Sequence, residues 1–355
     1  MVGLKMNVKV DELLYIYDNI IYKNSKHKDK LYNFEKNKMS ILYDLCYRLN
    51  NNLYEMGRYN IFLIKYPKYR IIMSLSVTDK IVNHYVTLKY LIPNLSGFLD
   101  NRNVATRVNM GTDYGIKLIR KYLEENKKYN KLYVLKLDIK KYFYNIDHNV
   151  LKDMLNGYFD NNIYSLLCKI IDSTNEEYVN NKINNIKLKM NIDKAKELPL
   201  CEYDKALPIG NMTSQFFAIY YLSSLDHFIV HDLHLKYYVR YMDDFVIIHH
   251  DKKYLEKVFL IISDMLNKMY KLELNDKSTI YDIDKGFDFL GYNYKIVNSK
   301  TIISVSRKSY KNIKKHINSY DSSVNYFNMY VNYYNSFKYC NNGNIRIYLD
   351  DYFGK

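Results

Sequence analysis

The sequence predicts an α+β fold, a largely antiparallel sheet with helices on one face, joined in a split βαβ arrangement. Two observations carry this. A buried-strand run, Tyr133-Val-Leu-Lys-Leu137, ends directly on Asp138. Downstream, Leu235-Lys-Tyr-Tyr-Val-Arg240 and Phe245-Val-Ile-Ile248 flank the tight turn Tyr241-Met-Asp-Asp244, which reads as a hairpin. Helical periods separate the first strand from the hairpin and follow it.

In chain order, Leu13, Ile16 and Ile20, then Leu42, Leu45, Leu49 and Leu53, recur at three- and four-residue steps. They predict helices over 9–58, with a polar loop at 23–30. Pro67 and the basic residues Lys65, Lys68 and Arg70 lead into a strand at Ile71-Ile72-Met73. An amphipathic helix over 79–92 is expected to end at Pro93, and Gly111-Thr112 opens another to about residue 127. After Asp138 come a helix at 148–157 and helical segments to about 175. The Asn/Lys-rich stretch 176–206 has few apolar anchors and reads as an irregular insertion. Leu207-Pro-Ile-Gly210 turns into a long helix at 211–229. The hairpin at 236–250 precedes a helix at 253–269, strand pieces at 271–281, 287–296 and 301–305, and a basic helical tail from Arg307. There are no internal repeats and no clear interdomain linker.

A chain of 355 residues, 48% hydrophobic, has ample material for a core and exceeds one minimal domain. Lys+Arg 53 against Asp+Glu 38 gives +15, which suits a polyanion such as nucleic acid, although the excess of Lys, Asn, Ile and Tyr also fits an AT-rich genome. The 41 tyrosines, with no tryptophan, stack on bases or line the core. Cys46, Cys168, Cys201 and Cys340 are too scattered for a zinc site or a disulfide framework and fit a reducing cytoplasm. No stretch approaches ~18–20 apolar residues, so a membrane span is not expected.

The acids carry the chemistry. Alternation along a strand prevents two adjacent aspartates from facing one site, but at a hairpin turn Asp243 and Asp244 splay. With Asp138 ending a neighbouring strand, three carboxylates could hold two divalent cations about 3.5–4 Å apart. The plainer readings are a solvated turn for Asp243-Asp244 and a helix N-cap for Asp138. Asp147, with Asn145 and His148, reads as turn and capping chemistry. His249-His250 lack a partner at metal-ligand spacing.

Together these segments resemble a reverse transcriptase over about 34–342, in the family's order. Asp138-Ile-Lys-Lys-Tyr-Phe143 resembles the first catalytic motif, Tyr241-Met-Asp-Asp244 the second, and Phe289-Leu-Gly-Tyr292 the primer-grip hairpin. Where most of the family has Gln-Gly-x-x-x-Ser-Pro, this chain has Ile209-Gly-Asn-Met-Thr-Ser-Gln215. Ile for Gln and Gln for Pro are typical of enzymes from diversity-generating retroelements and related prokaryotic branches. Lys68-Tyr-Arg-Ile-Ile72, Asp79-Lys-Ile-Val-Asn-His84, Arg107 with Gly111-Thr112, and the stretch 336–343 fit that group. No appended maturase, endonuclease or ribonuclease H domain is expected.

The resemblance implies a right-hand polymerase of fingers, palm and thumb. An N-terminal extension and fingers would occupy 1–130, a palm 131–298 including the 176–206 insertion, and a short thumb 299–355. It implies that Asp138, Asp243 and Asp244 hold two Mg²⁺, or Mn²⁺ in its place, with the Ile139 carbonyl completing one shell. Phe143 takes the place of the steric gate against ribose, its alternative being an ordinary core residue. Arg107 would grip the triphosphate and Arg102 would be a second clamp, although Asn103-Val-Ala-Thr-Arg107 departs from the family's Ser-Tyr-Gly-Phe-Arg. Gly210 would admit the nascent base pair, with Gln215 in the same nucleotide-binding set. Ile209 would face the nucleotide without the usual glutamine's hydrogen bonds, lowering fidelity, or else simply pack the helix start. Lys277 would protonate the leaving pyrophosphate.

Tyr241, Met242, Phe289, Leu290, Gly291 and Tyr292, with Lys68, Arg70, Lys311 and Lys315, would meet nucleic acid; the lysines are otherwise solvated surface. The implied partners are a template RNA or noncoding RNA, a DNA primer and product, dNTPs, and a small basic accessory protein or partner polymerase, in a prokaryotic cytoplasm. The implied function is RNA-directed DNA synthesis of the diversity-generating type. The alternatives are anti-phage defence with a noncoding RNA, and an inactive RNA-binding module.

Overall fold

The computed structural model describes residues 7–65, 68–318, 331, 339 and 340. Pro67, the tail beyond residue 318 apart from those three positions, and most of the 336–343 stretch lie outside the described residues. The chain forms two compact units. The first comprises Met1–Asp100, Lys140–Leu225 and Met265–Leu272; the second comprises Asn101–Ile139, Asp226–Asp264 and Glu273–Lys355.

In the first unit the predicted apolar stripes become helices Val10–Ile16 and Lys38–Asn50, burying Leu13, Ile16, Leu42, Leu45 and Leu49. The second helix stops earlier than expected. Asn52 adopts φ +59°, and the Leu53 and Asn52 N–H groups return to the carbonyls of Arg48 and Leu49, the pattern of a left-handed helix stop. Leu53 is therefore exposed.

Strands β1 (Asn60–Ile64) and β2 (Arg70–Ser74) pair antiparallel, Asn60 opposite Ser74; β1 carried no clear signal in the sequence. Helix Val77–Val86 starts at Ser76, whose hydroxyl accepts the Asp79 N–H at 3.1 Å. Contrary to expectation, Pro93 does not end it. A wide turn at Thr87–Leu91 intervenes, and Pro93 falls in the first turn of Ile92–Leu95, where its missing N–H costs nothing.

The stretch 176–206 also differs from its sequence reading, for it contains helices Glu177–Lys187 and Ile192–Glu197. Val179 and Ile183, four residues apart, are fully buried with Leu198 and Cys201 against Ile71 and Met73. Two anchors suffice because the β1–β2 face supplies the rest of the apolar surface. The Asn180 amide closes the segment, donating to the Cys201 carbonyl at 2.8 Å and accepting its N–H at 2.9 Å. The expected long helix after Gly210 is broken into Met212–Tyr220, Ser223–His227 and a wide turn at Phe228–Asp232.

The second unit contains the predicted antiparallel sheet. Strands β3 (Tyr133–Asp138), β4 (Tyr238–Tyr241), β5 (Asp244–His249) and β6 (Thr279–Asp282) lie in the order β4-β5-β3-β6. The strand expected from 271 begins only at Thr279; Leu274 ahead of it makes an isolated bridge to Ile139. A smaller antiparallel sheet joins β7 (Phe287–Phe289), β8 (Tyr292–Val297) and β9 (Lys300–Val305). Helix Thr112–Asn126 inserts Ile116, Ile119 and Leu123 into one core with Val134, Val239, Val246, Phe287, Phe289 and Tyr294. Among the described residues no helix is long and apolar enough to cross a membrane.

Candidate active site

The carboxylates converge through strand register. β3 pairs antiparallel with β5 so that Asp138 stands directly opposite Asp244, with Lys136 opposite Val246 on the same face. Directly opposed residues hold their Cβ atoms about 4.5–5.5 Å apart, where like charges destabilise. Asp244 is the first residue of β5, and Asp243 occupies the two-residue turn that joins it to β4. That turn is reached through Met242 at φ +57°, a left-handed conformation costing roughly 1–2 kcal/mol in a residue with a Cβ. The Asp243 carbonyl accepts the Ile139 N–H at 3.1 Å, fixing the turn to the end of β3.

The other edge of β3 is held by the loop carrying Lys277. Asp138 donates its N–H to Ser278 Oγ at 3.1 Å and accepts the Asn275 N–H at 2.7 Å, and Lys277 itself is exposed. Asp138 is thus no helix cap. The short helix that follows is preceded by Lys141 in the left-handed region.

Electrostatics make the trio uncomfortable without a cation. Burial pushes the Asp244 carboxyl up to about 7; Lys136 opposes the rise, and the charges of Asp138 and Asp243 add to it. Lys136 Nζ lies 3.5 Å from Asp244 Oδ2 and also donates to the Asp288 carbonyl. Asp244 Oδ1 is buried with no hydrogen-bond partner among the described residues. Leaving such a group unsatisfied costs roughly 1–3 kcal/mol. Hard oxygen donors and an orphaned carboxylate oxygen fit a divalent cation of the Mg²⁺ kind.

Residues 64–294, more than half of the chain, match the family model for reverse transcriptase (RNA-dependent DNA polymerase). The chain belongs to the reverse transcriptase family. Among solved structures, apo telomerase from Candida tropicalis, truncated from its C-terminal domain, is 18% identical with a TM-score of 0.47, over 76% of this chain and 60% of that one. Telomerase from Candida albicans, in complex with a fragment of telomeric RNA, is 14% identical with a TM-score of 0.49, over 74% and 50%. This chain thus covers 50–60% of the length of these two structures. No curated protein matches it.

In this reverse transcriptase chain the segment 102–104, beside the candidate clamp arginines, is tied to the hairpin. Arg240 of β4 donates its N–H to the Arg102 carbonyl at 2.9 Å and accepts the Val104 N–H at 2.9 Å. Arg107 Nη1 donates to the Asn103 carbonyl at 3.1 Å and Arg102 Nε to the Lys236 carbonyl at 3.2 Å; both side chains remain half-exposed.

The Phe289–Tyr292 hairpin corrects part of the sequence reading. Phe289 and Tyr292 are buried in the core, 1% and 6% exposed, because period-2 alternation turns both inward. Only the turn, Leu290 and Gly291, both at positive φ, is left at the tip. Tyr241 and Met242 are half-buried, and Lys311 and Lys315 are exposed one helical turn apart on Arg307–Asn318.

The remaining candidates lie in the first unit. The Phe143 carbonyl accepts the Leu207 N–H at 2.7 Å, and the half-buried ring packs edge-on to Tyr142. The Ile209 carbonyl accepts the Met73 N–H at 3.2 Å. Gly210 has φ +116°, and a Cβ there would lie 3.3 Å from Ile72 Cγ2, so only glycine suits the position. Lys68 and Arg70 are exposed at the start of β2, and Gln215 is exposed on Met212–Tyr220.

Sequence reasoning missed Lys136 and the pair Arg240–Asp226. Lys136 was signalled by its position two residues before Asp138, and Arg240 by a cation inside an apolar strand. Asp147 caps its helix as expected, accepting the Val150 N–H at 3.0 Å. His148 does not cap. It is fully buried, bridging Asp172 at 3.1 Å and the Ala206 carbonyl at 2.8 Å. The ligand atoms of His148, Asp172 and Asp204 lie within 4.8 Å of one another, yet Lys152 already neutralises Asp172 at 2.6 Å and Asn175 donates to Asp204.

Proposed function

We propose that this chain is an RNA-directed DNA polymerase, a nucleotidyltransferase that extends a DNA primer from dNTPs on an RNA template. The observation that carries the reading is Asp138 opposite Asp244, with Asp243 in the adjoining turn and Asp244 Oδ1 unsatisfied among the described residues. Asp138, Asp243 and Asp244 would hold two Mg²⁺, or Mn²⁺, with the Ile139 carbonyl as a further ligand. Such a pair would lower the pKa of the primer 3′-hydroxyl and offset charge on the transferred phosphoryl group. Arg107, seconded by Arg102, would orient the triphosphate through its forked guanidinium. Lys277 would supply a proton to the departing pyrophosphate. Phe143 would exclude a ribose 2′-hydroxyl, while Gly210 and Gln215 would border the nascent pair. Leu290 and Gly291 would support the primer end; Lys68, Arg70, Lys311 and Lys315 would meet phosphates.

Ile209 and Gln215 support a finer reading, an error-prone enzyme of the diversity-generating type in a prokaryotic cytoplasm. It would work with a structured template RNA and a small basic accessory protein. Primer extension on an RNA template with dNTPs and Mg²⁺ tests the core of the proposal. Extension by the wild type and none by Asp243→Asn supports it, whereas RNA binding without synthesis would leave only a binding module. Sequencing template and product tests the finer reading: frequent misincorporation on a short template RNA supports diversification. Synthesis on a noncoding RNA of a defence locus would favour an anti-phage role.

A further inference from the structure

Beneath the aspartate turn lies a charged cluster that the proposed chemistry does not use. Arg240 and Asp226 are both fully buried and meet side-on, Nη2 to Oδ2 at 2.5 Å and Nε to Oδ1 at 2.7 Å. The Tyr238 hydroxyl donates to the same Asp226 Oδ1 at 2.5 Å, and the guanidinium lies over the Phe245 ring at 5.9 Å. The remaining arm is aimed upward: Arg240 Nη1 donates to the Met242 carbonyl at 3.0 Å.

A buried ion pair is a poor way to stabilise a fold, since desolvation offsets most of its attraction and an apolar trio of equal bulk often does as well. What apolar residues cannot supply is a rigid donor to a particular carbonyl. Met242 is the left-handed residue of the turn, and its carbonyl belongs to the peptide that leads into Asp243. The following carbonyl, of Asp243, is already held by the Ile139 N–H. With both peptides pinned, the Asp243 side chain has one direction to leave the backbone.

We infer that Arg240, clamped by Asp226 and Tyr238, is a positioning residue that fixes the Met242–Asp243 peptide and so aims the Asp243 carboxylate. The inference rests on the reading of Asp243 as a cation ligand in a polymerase. It explains why a strand otherwise committed to the core carries a cation, and why its partner sits fourteen residues earlier in Ser223–His227.

The test uses the full-length chain and two variants. Arg240→Lys keeps a positive charge against Asp226 but loses the planar fork that also reaches Met242. Arg240→Met combined with Asp226→Leu and Tyr238→Phe replaces the cluster by apolar bulk. Thermal melting, Mn²⁺ binding followed by electron paramagnetic resonance, and primer-extension kinetics are measured for each.

The apolar triple variant is expected to melt close to the wild type and Arg240→Lys lower; per folded molecule, both should bind Mn²⁺ about tenfold more weakly and lose about 10- to 100-fold in kcat with dNTP KM changed less than about threefold. Wild-type Mn²⁺ affinity and kcat per folded molecule in both would overturn the inference, whatever happens to melting. A wild type that makes no DNA sinks the polymerase reading separately, and the Mn²⁺ comparison still decides the role of Arg240.

Discussion

Asn103 bridges Arg240 in parallel, so the segment 102–104 lies as a short added strand along the free edge of β4. The hairpin that presents Asp243 and Asp244 therefore also holds the segment of Arg102, whose Asn103 carbonyl accepts a hydrogen bond from Arg107 Nη1. Val104 and Gly111 continue the connection: the Gly111 N–H returns to the Val104 carbonyl at 2.7 Å just where helix Thr112–Asn126 begins.

This shared framework predicts that Arg107→Ala acts on the nucleotide rather than on the fold. Losing a charge-assisted contact to phosphate is worth about 1.5–3 kcal/mol, so dNTP KM should rise at least about tenfold. Primer–template affinity and the melting temperature should stay near wild type. Steady-state kinetics against dNTP concentration, beside a binding titration with primer–template, checks both halves.

Asp138 opposite Asp244 predicts a conflict between stability and activity. In metal-free buffer above about pH 7, where Asp244 is ionised, Asp244→Asn removes a buried charge that faces two others, so the variant should melt higher than the wild type. Adding Mg²⁺ should raise the wild-type melting temperature and move that of the variant little. Its polymerisation rate should fall by at least about 100-fold. Paired melting curves with and without Mg²⁺ are the measurement. A variant less stable than the wild type in metal-free buffer would contradict the strain described for the trio.

Phe143→Ala is expected to admit ribonucleotides. Removing the ring should lower the preference for dNTP over rNTP by at least about tenfold while leaving dNTP incorporation within a few-fold. Competition between dCTP and rCTP on one template position reads the ratio. Unchanged discrimination would return Phe143 to the role of a packing residue.

Asp147, in the first unit, provides a separate pH test. Burial pushes its carboxyl up, but Lys271 at 2.7 Å and the Val150 N–H outweigh it and hold it below the ordinary value. A depressed folded-state pKa stabilises above the unfolded value of about 3.9 and is lost as pH falls through the folded one. Asp147→Ala should therefore cost about 1 kcal/mol near pH 7, and that difference should shrink below about pH 4. Urea denaturation of both proteins across pH 3–7 measures it. A gap that is constant down to pH 3 would remove the charge from the explanation.

Several elements were legible because local physics fixes them. Apolar strand runs marked β3 and, about a tight turn, the hairpin; Gly111 marked a helix start, and Leu42, Leu45 and Leu49 marked a buried stripe. The misreadings share a cause. The stretch 176–206 looks too polar to fold, yet Val179 and Ile183 needed only the β1–β2 face, which lies more than a hundred residues earlier. Pro93 looked like a stop because the wide turn before it leaves no local trace. Phe289 and Tyr292 looked like a nucleic-acid surface, whereas tertiary packing turned their rings inward.

The sequence by itself determined the local pieces of the site: an acid closing a buried strand, and two acids on a tight turn between strands. Period-2 alternation and turn chemistry act over a few residues, so they can be read without a fold. Only the tertiary structure decided the register that sets Asp138 against Asp244, the burial of Arg240 on Asp226, and the docking of Asn103 on the hairpin edge. Strands distant along the chain choose their register by which side chains the assembled core can bury, and a buried charge finds its counter-charge only once the layers have packed.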